Sequence, residues 1–126
     1  MTVPRKALLV EDEPLVAMLV VDLLGELGFE VIEAPTAKKA LEAARADAAG
    51  LALAIIDLGL PDAPGETVVA DLKALRADLP VIVASGSGSG QNPATFERFE
   101  KIAILPKPYE FKGLAEAIKS LGVVVA

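Results

Sequence analysis

The 126-residue chain has no cysteine, no histidine and no tryptophan. Without cysteine there is no disulfide, no thiol nucleophile and no thiolate-bound zinc. Without histidine there is no Ser-His-Asp triad, no imidazole metal ligand and no phosphohistidine of the chain's own. Any chemistry must come from carboxylates, lysine, hydroxyls or the backbone. Aromatics are scarce, four Phe and one Tyr, so the core has to be aliphatic. Positive charge is short as well: 12 Lys and Arg against 18 Asp and Glu leave a net charge of −6. That balance disfavours nucleic acid as a partner. Long apolar runs are also missing. The first run, residues 7–10, is too short for a secretory signal, and residues 15–24 are broken by Asp22 and do not suffice to cross a bilayer. No membrane association is expected, and a cytoplasmic location is the default.

What is present is an alternation of short apolar runs with segments of helical period. Residues 6–10, 29–34, 51–56, 80–84 and 102–105 read as strands that are apolar on both faces. Leu15, Val16, Leu19, Val20, Leu23, Leu24 and Leu27 recur at helical spacing, and Gly28 closes that helix. Thr36 is placed to cap a second helix with Ala37, Ala40, Leu41 and Ala44 on its apolar face. Val68, Val69, Leu72 and Leu75 mark a third, and Phe111, Leu114, Ala115, Ile118 and Leu121 mark the last. Each strand is followed by a helical connection, which predicts an α/β fold: a five-stranded parallel sheet covered by helices on both sides. One connection departs from this. Residues 85–93 contain three glycines and a proline, so the helix between strands four and five should be short, displaced or disordered. No repeat or linker divides the chain, so a single domain is expected over 1–126, with a core of about 5–121 and an apolar tail at 122–126.

In an open parallel sheet, functional groups collect at the carboxyl ends of the strands, where strand order reverses. Strand one ends in Glu11-Asp12-Glu13, strand three in Asp57, strand four in Ser85 and strand five is followed by Lys107. In the flavodoxin-like order 2-1-3-4-5, strands one and three are neighbours, so Glu11, Asp12 and Asp57 converge. Three converging carboxylates repel one another and call for a cation. Mg²⁺ suits a site that offers carboxylates and leaves room for water. Asp57 is then a candidate nucleophile toward a phosphoryl group, with Lys107, the Ser85 hydroxyl and the backbone at Gly86 stabilising charge on the transferred group. Taken singly, each residue has a plainer role: acids before a helix complement its dipole, and Asp57 before a Gly/Pro turn is an ordinary turn residue. The four positions together, in order at the correct strand ends, carry the argument.

Those residues bring a resemblance into view. Leu8-Leu9-Val10-Glu11-Asp12-Glu13-Pro14, Asp57-Leu58-Gly59-Leu60-Pro61-Asp62 with Gly65, Ala84-Ser85-Gly86 and Lys107-Pro108-Tyr109 together resemble response-regulator receiver domains, over nearly the whole chain. The resemblance implies Asp57 as phosphoacceptor and Glu11, Asp12, Asp57 and the Gly59 backbone carbonyl as Mg²⁺ ligands. It implies Ser85, Gly86 and Lys107 as the phosphoryl-binding and switch residues. A histidine kinase or histidine phosphotransfer protein is the implied donor, and a downstream protein target receives the signal. No output domain is legible in the chain, so the effect is expected to pass through a partner or by phosphate relay. Met1 mildly favours a separate regulator over a receiver excised from a hybrid histidine kinase. The chain is expected to catalyse only its own phosphorylation and dephosphorylation.

Two features depart from the family. Many receivers have an aromatic three residues before the lysine, where this chain has Ile104. The Gly/Ser-rich stretch after Ser85 also differs. Together with Ile104-Leu105-Pro106-Lys107-Pro108-Tyr109 these features resemble an alphaproteobacterial single-domain subgroup with a modified loop after strand four. They suggest a switch in which residues 86–90 order over the phosphorylated site in place of an aromatic swing. Three alternatives remain at this point: a flavodoxin-like ligand binder, a non-phosphorylated docking module, and a Mg²⁺-dependent phosphohydrolase using Asp62 as acid/base.

Overall fold

The structure, a computed structural model, describes residues 5–60, 62–85, 96, 99–106 and 110–123, with Ser85 and Pro106 described through their backbone alone. The elements in chain order are β1 (Arg5–Val10), α1 (Pro14–Glu26), β2 (Phe29–Ala34), α2 (Ala37–Asp47), a 3₁₀ turn (Ala48–Gly50), β3 (Leu51–Asp57), α3 (Gly65–Leu75), β4 (Val81–Ser85), β5 (Ile102–Pro106) and α4 (Phe111–Ser120). The strands form one sheet in the order β2-β1-β3-β4-β5, all pairs parallel. This is the flavodoxin-like arrangement that the sequence predicts. The short helix expected between β4 and β5 falls on residues that lie outside the described ones, apart from the buried Phe96 and from Phe99, whose N–H donates to the Phe96 carbonyl at 3.1 Å.

Side chains alternate across the sheet, as the pleat requires. Leu8, Val10, Ala54, Ile56, Val81 and Val83 face one side, where Ala37, Ala40 and Ala44 of α2 and Val68, Val69 and Leu72 of α3 cover them together with Phe96. Ala7, Leu9, Leu53, Ile55 and Ile82 face the other, under Ala17, Val20 and Leu24 of α1 and Leu114, Ala115 and Ile118 of α4. The alanine face of α2 lets that helix lie close to the sheet.

Local chemistry sets the helix ends. Pro14 opens α1 at a position whose N–H would be unpaired anyway. Gly28 follows α1 at φ 91°, a left-handed conformation that favours glycine. Gly122, at φ 82°, ends α4 in the same way: its N–H donates to the Lys119 carbonyl at 3.0 Å and the Val123 N–H to the Ile118 carbonyl at 3.3 Å. That is a Schellman closure, and it folds the start of the apolar tail, Val123, back onto the core beneath α1 and α4. Residues 124–126 lie outside the described ones.

The inward face of α1 differs from the sequence reading. Leu15 and Leu19, assigned to the apolar face, are on the outside, and Met18 joins them. The helix is apolar nearly all round, so periodicity alone does not fix its rotation. Packing against the sheet does, and it selects the stripe built on the small Ala17 with Val20, Leu24 and Leu27. Leu75 and Phe111, read as facing the core, are likewise exposed at the ends of α3 and α4.

Candidate functional site

The register of β1 against β3 pairs Val10 with Ile56, so the next residue of each strand, Glu11 and Asp57, leaves the sheet side by side. Asp12 follows in the β1–α1 turn. Each of the three offers a carboxylate oxygen, and these oxygens all lie within 4.8 Å of one another. Glu11 and Asp57 are buried and Asp12 is half-buried. At an effective dielectric constant near 20, two unit charges at such a separation repel by about 3 kcal/mol. A cation bound among them would offset that repulsion, and the donor set, carboxylate oxygens with no thiolate or imidazole in the chain, fits a hard divalent ion.

Backbone hydrogen bonds hold Glu11 and Asp57 in place. The Glu11 N–H donates to the Ala34 carbonyl at 3.1 Å and the Glu13 N–H donates to Glu11 Oε2 at 3.3 Å. Glu13 occupies the N-cap position of α1 but its side chain makes no cap bond, so this acid is not the simple capping residue that its position suggests. The Gly59 N–H donates to Asp57 Oδ1 at 3.2 Å, and the Leu58 N–H donates to the Ala84 carbonyl at 3.2 Å. A Cβ at Gly59 would lie 3.8 Å from both Asp57 carboxylate oxygens, so glycine there leaves the mouth of the site wide. Gly65, the first residue of α3, is needed for closeness: a Cβ would meet Leu58 Cα at 2.7 Å and the Asp57 carbonyl at 3.1 Å.

Of the other expected site residues, Ser85 ends β4 one position beyond Ala84, the partner of Asp57 in the β3–β4 register. Its backbone thus reaches the same sheet edge. Gly86 and Lys107 lie outside the described residues, as do residues 86–90, to which the ordering switch was assigned. β5 ends at Pro106, directly before Lys107.

Two residues have roles that the sequence reading missed. Asp62, assigned to the turn, accepts the Ala37 N–H at 2.9 Å through Oδ1 and the Lys38 N–H at 3.2 Å through Oδ2, at the start of α2. The Ala37 hydrogen bond is the main reason its carboxyl is held below the usual carboxylate range. A carboxylate tied by both oxygens and kept ionised is a poor general acid, which weighs against the phosphohydrolase alternative. A cap supplied from another loop leaves no local sequence signal. Lys73 is buried, 6% exposed, on the inner side of α3. Its ammonium donates to the Leu79 carbonyl at 2.6 Å and the Glu100 carbonyl at 2.5 Å, joining α3 to the turns before β4 and β5. Burial pushes its pKa down. Its spacing of four from Val69 was an available sign that it faces inward.

The response regulator receiver domain family matches residues 7–119, and the chain belongs to that family. It is a receiver domain of two-component signalling, a signalling module and not a conventional enzyme, and its acidic pocket of Glu11, Asp12 and Asp57 is typical of a receiver Mg²⁺ site and consistent with an aspartyl-phosphate site. The chain is 31% identical over 114 residues to the sensor kinase CckA of Brucella abortus (strain 2308), covering 90% of this chain and 12% of that protein. It is 30% identical over 116 residues to the two-component response regulator PhoP of Pseudomonas aeruginosa, covering 92% of this chain and 51% of the relative. Among solved structures, the receiver domain of the hybrid histidine kinase CckA superposes with a TM-score of 0.77 at 30% identity, covering 92% of this chain and 97% of that one. The chain thus spans between about an eighth and a half of the length of the curated relatives it matches.

Proposed function

We propose that the chain is a phosphoryl-accepting switch in which Asp57 is the phosphorylated residue. The convergence of Glu11, Asp12 and Asp57 carboxylates within 4.8 Å, at one edge of the sheet, carries this reading. An Asp57 carboxylate oxygen attacks phosphorus, a P–O bond forms, and the bond from phosphorus to the donor breaks with its electrons going to the donor. The chain has no histidine, so a phosphohistidine donor has to be another protein or domain: a histidine kinase or a histidine phosphotransfer protein. Glu11, Asp12, Asp57 and the Gly59 carbonyl would hold Mg²⁺. When bound, the ion would neutralise charge on the phosphoryl oxygens. Lys107 and the Ser85 hydroxyl would bear on the same oxygens, and Gly86 would keep the approach open and leave its N–H accessible.

The surface beside the site supports a protein donor. Leu15 is 81% exposed and Met18 63% exposed, and with Leu19 they form an apolar stripe on the first turns of α1, immediately after the acidic residues. A protein reaching Asp57 passes over it. Output is to a downstream protein target or by phosphate relay. The net charge of −6 argues against nucleic acid. Among the described residues no helix is long and apolar enough to cross a membrane, and we place this chemistry in the cytoplasm. Ile104 and the sequence around Ser85-Gly86 support the single-domain subgroup with a modified loop after strand four.

Incubation with acetyl phosphate and Mg²⁺ followed by intact-mass measurement tests the reading. The expected outcome is a gain of about 80 Da, one phosphoryl group, that needs Mg²⁺ and is absent in Asp57→Asn. A wild-type chain that binds Mg²⁺ yet never gains this mass would favour a docking module that is not phosphorylated.

A further inference from the structure

The loop from β3 to α3, residues 58–64, follows the acceptor directly and carries Gly59. Its two ends are fixed. Leu58 donates its N–H to Ala84 in the neighbouring strand, and Gly65 packs on Leu58 so tightly that a Cβ would fall 2.6 Å from the Leu58 side chain. Leu60 is buried in the core between sheet, α2 and α3. The far part of the loop is tied sideways, by Asp62. Its two carboxylate oxygens take the N–H groups of Ala37 and Lys38, the first two of α2. The next N–H, that of Lys39, goes to Thr36 Oγ1 at 3.2 Å. The N-terminus of α2 is therefore closed by two caps of different origin. Thr36 comes from the residue just before the helix. Asp62 comes from 25 residues away, on the loop that bears the acceptor.

A helix start needs such donors satisfied, but a local cap suffices for most helices. A bidentate cap from a distant loop does something more: two bonds in different directions fix where residue 62 stands relative to α2, which is itself packed on β1 and β2. Gly59, three residues earlier, contributes its N–H to Asp57 Oδ1. Asp57, Gly59 and Asp62 are thus each engaged in a backbone-to-carboxylate hydrogen bond on the same loop.

We propose that Asp62 is a positioning residue for the acceptor site, which ties the 58–64 loop to the N-terminus of α2 and so holds the Asp57 carboxylate and the Gly59 carbonyl in the disposition a divalent cation needs. This rests on the reading of Asp57 as a Mg²⁺-dependent acceptor. Asp62 acts through the loop and takes no part in the transfer.

The experiment compares wild type, Asp62→Ala, Asp62→Asn and Thr36→Ala, all as the full chain. Mg²⁺ affinity is followed by amide NMR titration at low and high salt, with melting temperature measured alongside. Removing an outer partner of a metal site commonly weakens binding by ~10- to 100-fold, so Asp62→Ala should raise the Mg²⁺ dissociation constant about tenfold. Asp62→Asn keeps one acceptor oxygen and should lose less. Thr36→Ala removes the other cap of the same helix and should lower the melting temperature without changing Mg²⁺ affinity. An equal loss of affinity in Asp62→Ala and Thr36→Ala would overturn the proposal, because α2 capping alone would explain it. A loss that is the same in Asp62→Asn and vanishes at high salt would overturn it too, since it would be an effect of charge. A wild-type chain that binds no Mg²⁺ would overturn the acceptor reading itself, and with it this inference.

Discussion

At the residue scale three acids converge at one end of the sheet. Carboxylate oxygens of Glu11, Asp12 and Asp57 lie within 4.8 Å of one another, so a cation bound there would offset their mutual repulsion. Asp12→Asn should therefore gain less stability from Mg²⁺ than wild type. For wild type, Mg²⁺ at 100 times its dissociation constant adds about 2.7 kcal/mol, a shift that differential scanning calorimetry resolves easily. If Asp12→Asn gains as much from Mg²⁺ as wild type, Asp12 is no ligand. Asp62 gives a pH signature. Its folded-state pKa is lowered, chiefly by the Ala37 N–H, so its contribution is complete above the unfolded carboxylate pKa and disappears as pH falls through the lower folded value. The stability difference between wild type and Asp62→Ala should accordingly shrink in that acid window, which paired urea melts at pH 7 and pH 3 would measure.

At the element scale α1 has one buried face and one exposed apolar face. Leu24 is fully buried, and Leu24→Ala should cost about 2–5 kcal/mol in a denaturant melt. Leu15 and Met18 stand in solvent, and the double substitution Leu15→Glu with Met18→Glu should change stability by no more than ~1 kcal/mol, ordinary for surface positions. It should slow phosphoryl transfer from a phosphorylated histidine phosphotransfer protein while leaving the rate with acetyl phosphate unchanged. Equal rates with the protein donor would remove α1 from the docking surface. The lower edge of the molecule is tied by α3. Arg76 donates to the Ala48 carbonyl at 3.1 Å and the Leu51 carbonyl at 2.5 Å, and Lys73 holds Leu79 and Glu100. Lys73→Met leaves those two carbonyls without their ammonium and should cost about 1–3 kcal/mol near pH 7. Because burial lowers the folded pKa of Lys73, the unfolded chain keeps this proton more tightly. Wild-type stability should rise relative to Lys73→Met as alkaline pH moves from the folded toward the unfolded lysine pKa.

At the scale of the whole molecule, the sheet was readable because each strand is a short apolar run ending at a turn signal. Residues 29–34 matched β2 to the residue, and β1, β3, β4 and β5 matched within one. The acidic cluster was readable because, in the flavodoxin-like strand order, the ends of strands one and three are neighbours. Three things were hidden. The rotation of α1 depends on packing, since an all-round apolar helix has no unique inner face. The partner of Asp62 lies 25 residues away, with no spacing rule to announce it. Lys73 has the helical spacing of an inward residue, but the carbonyls that make burial of its charge tolerable come from turns that form only in the fold.

The central claim is that Asp57 carries the phosphoryl group. It is tested most directly by phosphorylating the protein with acetyl phosphate and Mg²⁺, reducing with borohydride, and mapping the product by peptide mass spectrometry. Reduction converts an aspartyl phosphate to homoserine at the modified position. The account predicts homoserine at position 57, dependent on Mg²⁺ during labelling. Homoserine at another acid, such as Asp12 or Asp62, or no conversion in a chain that binds Mg²⁺, would contradict it.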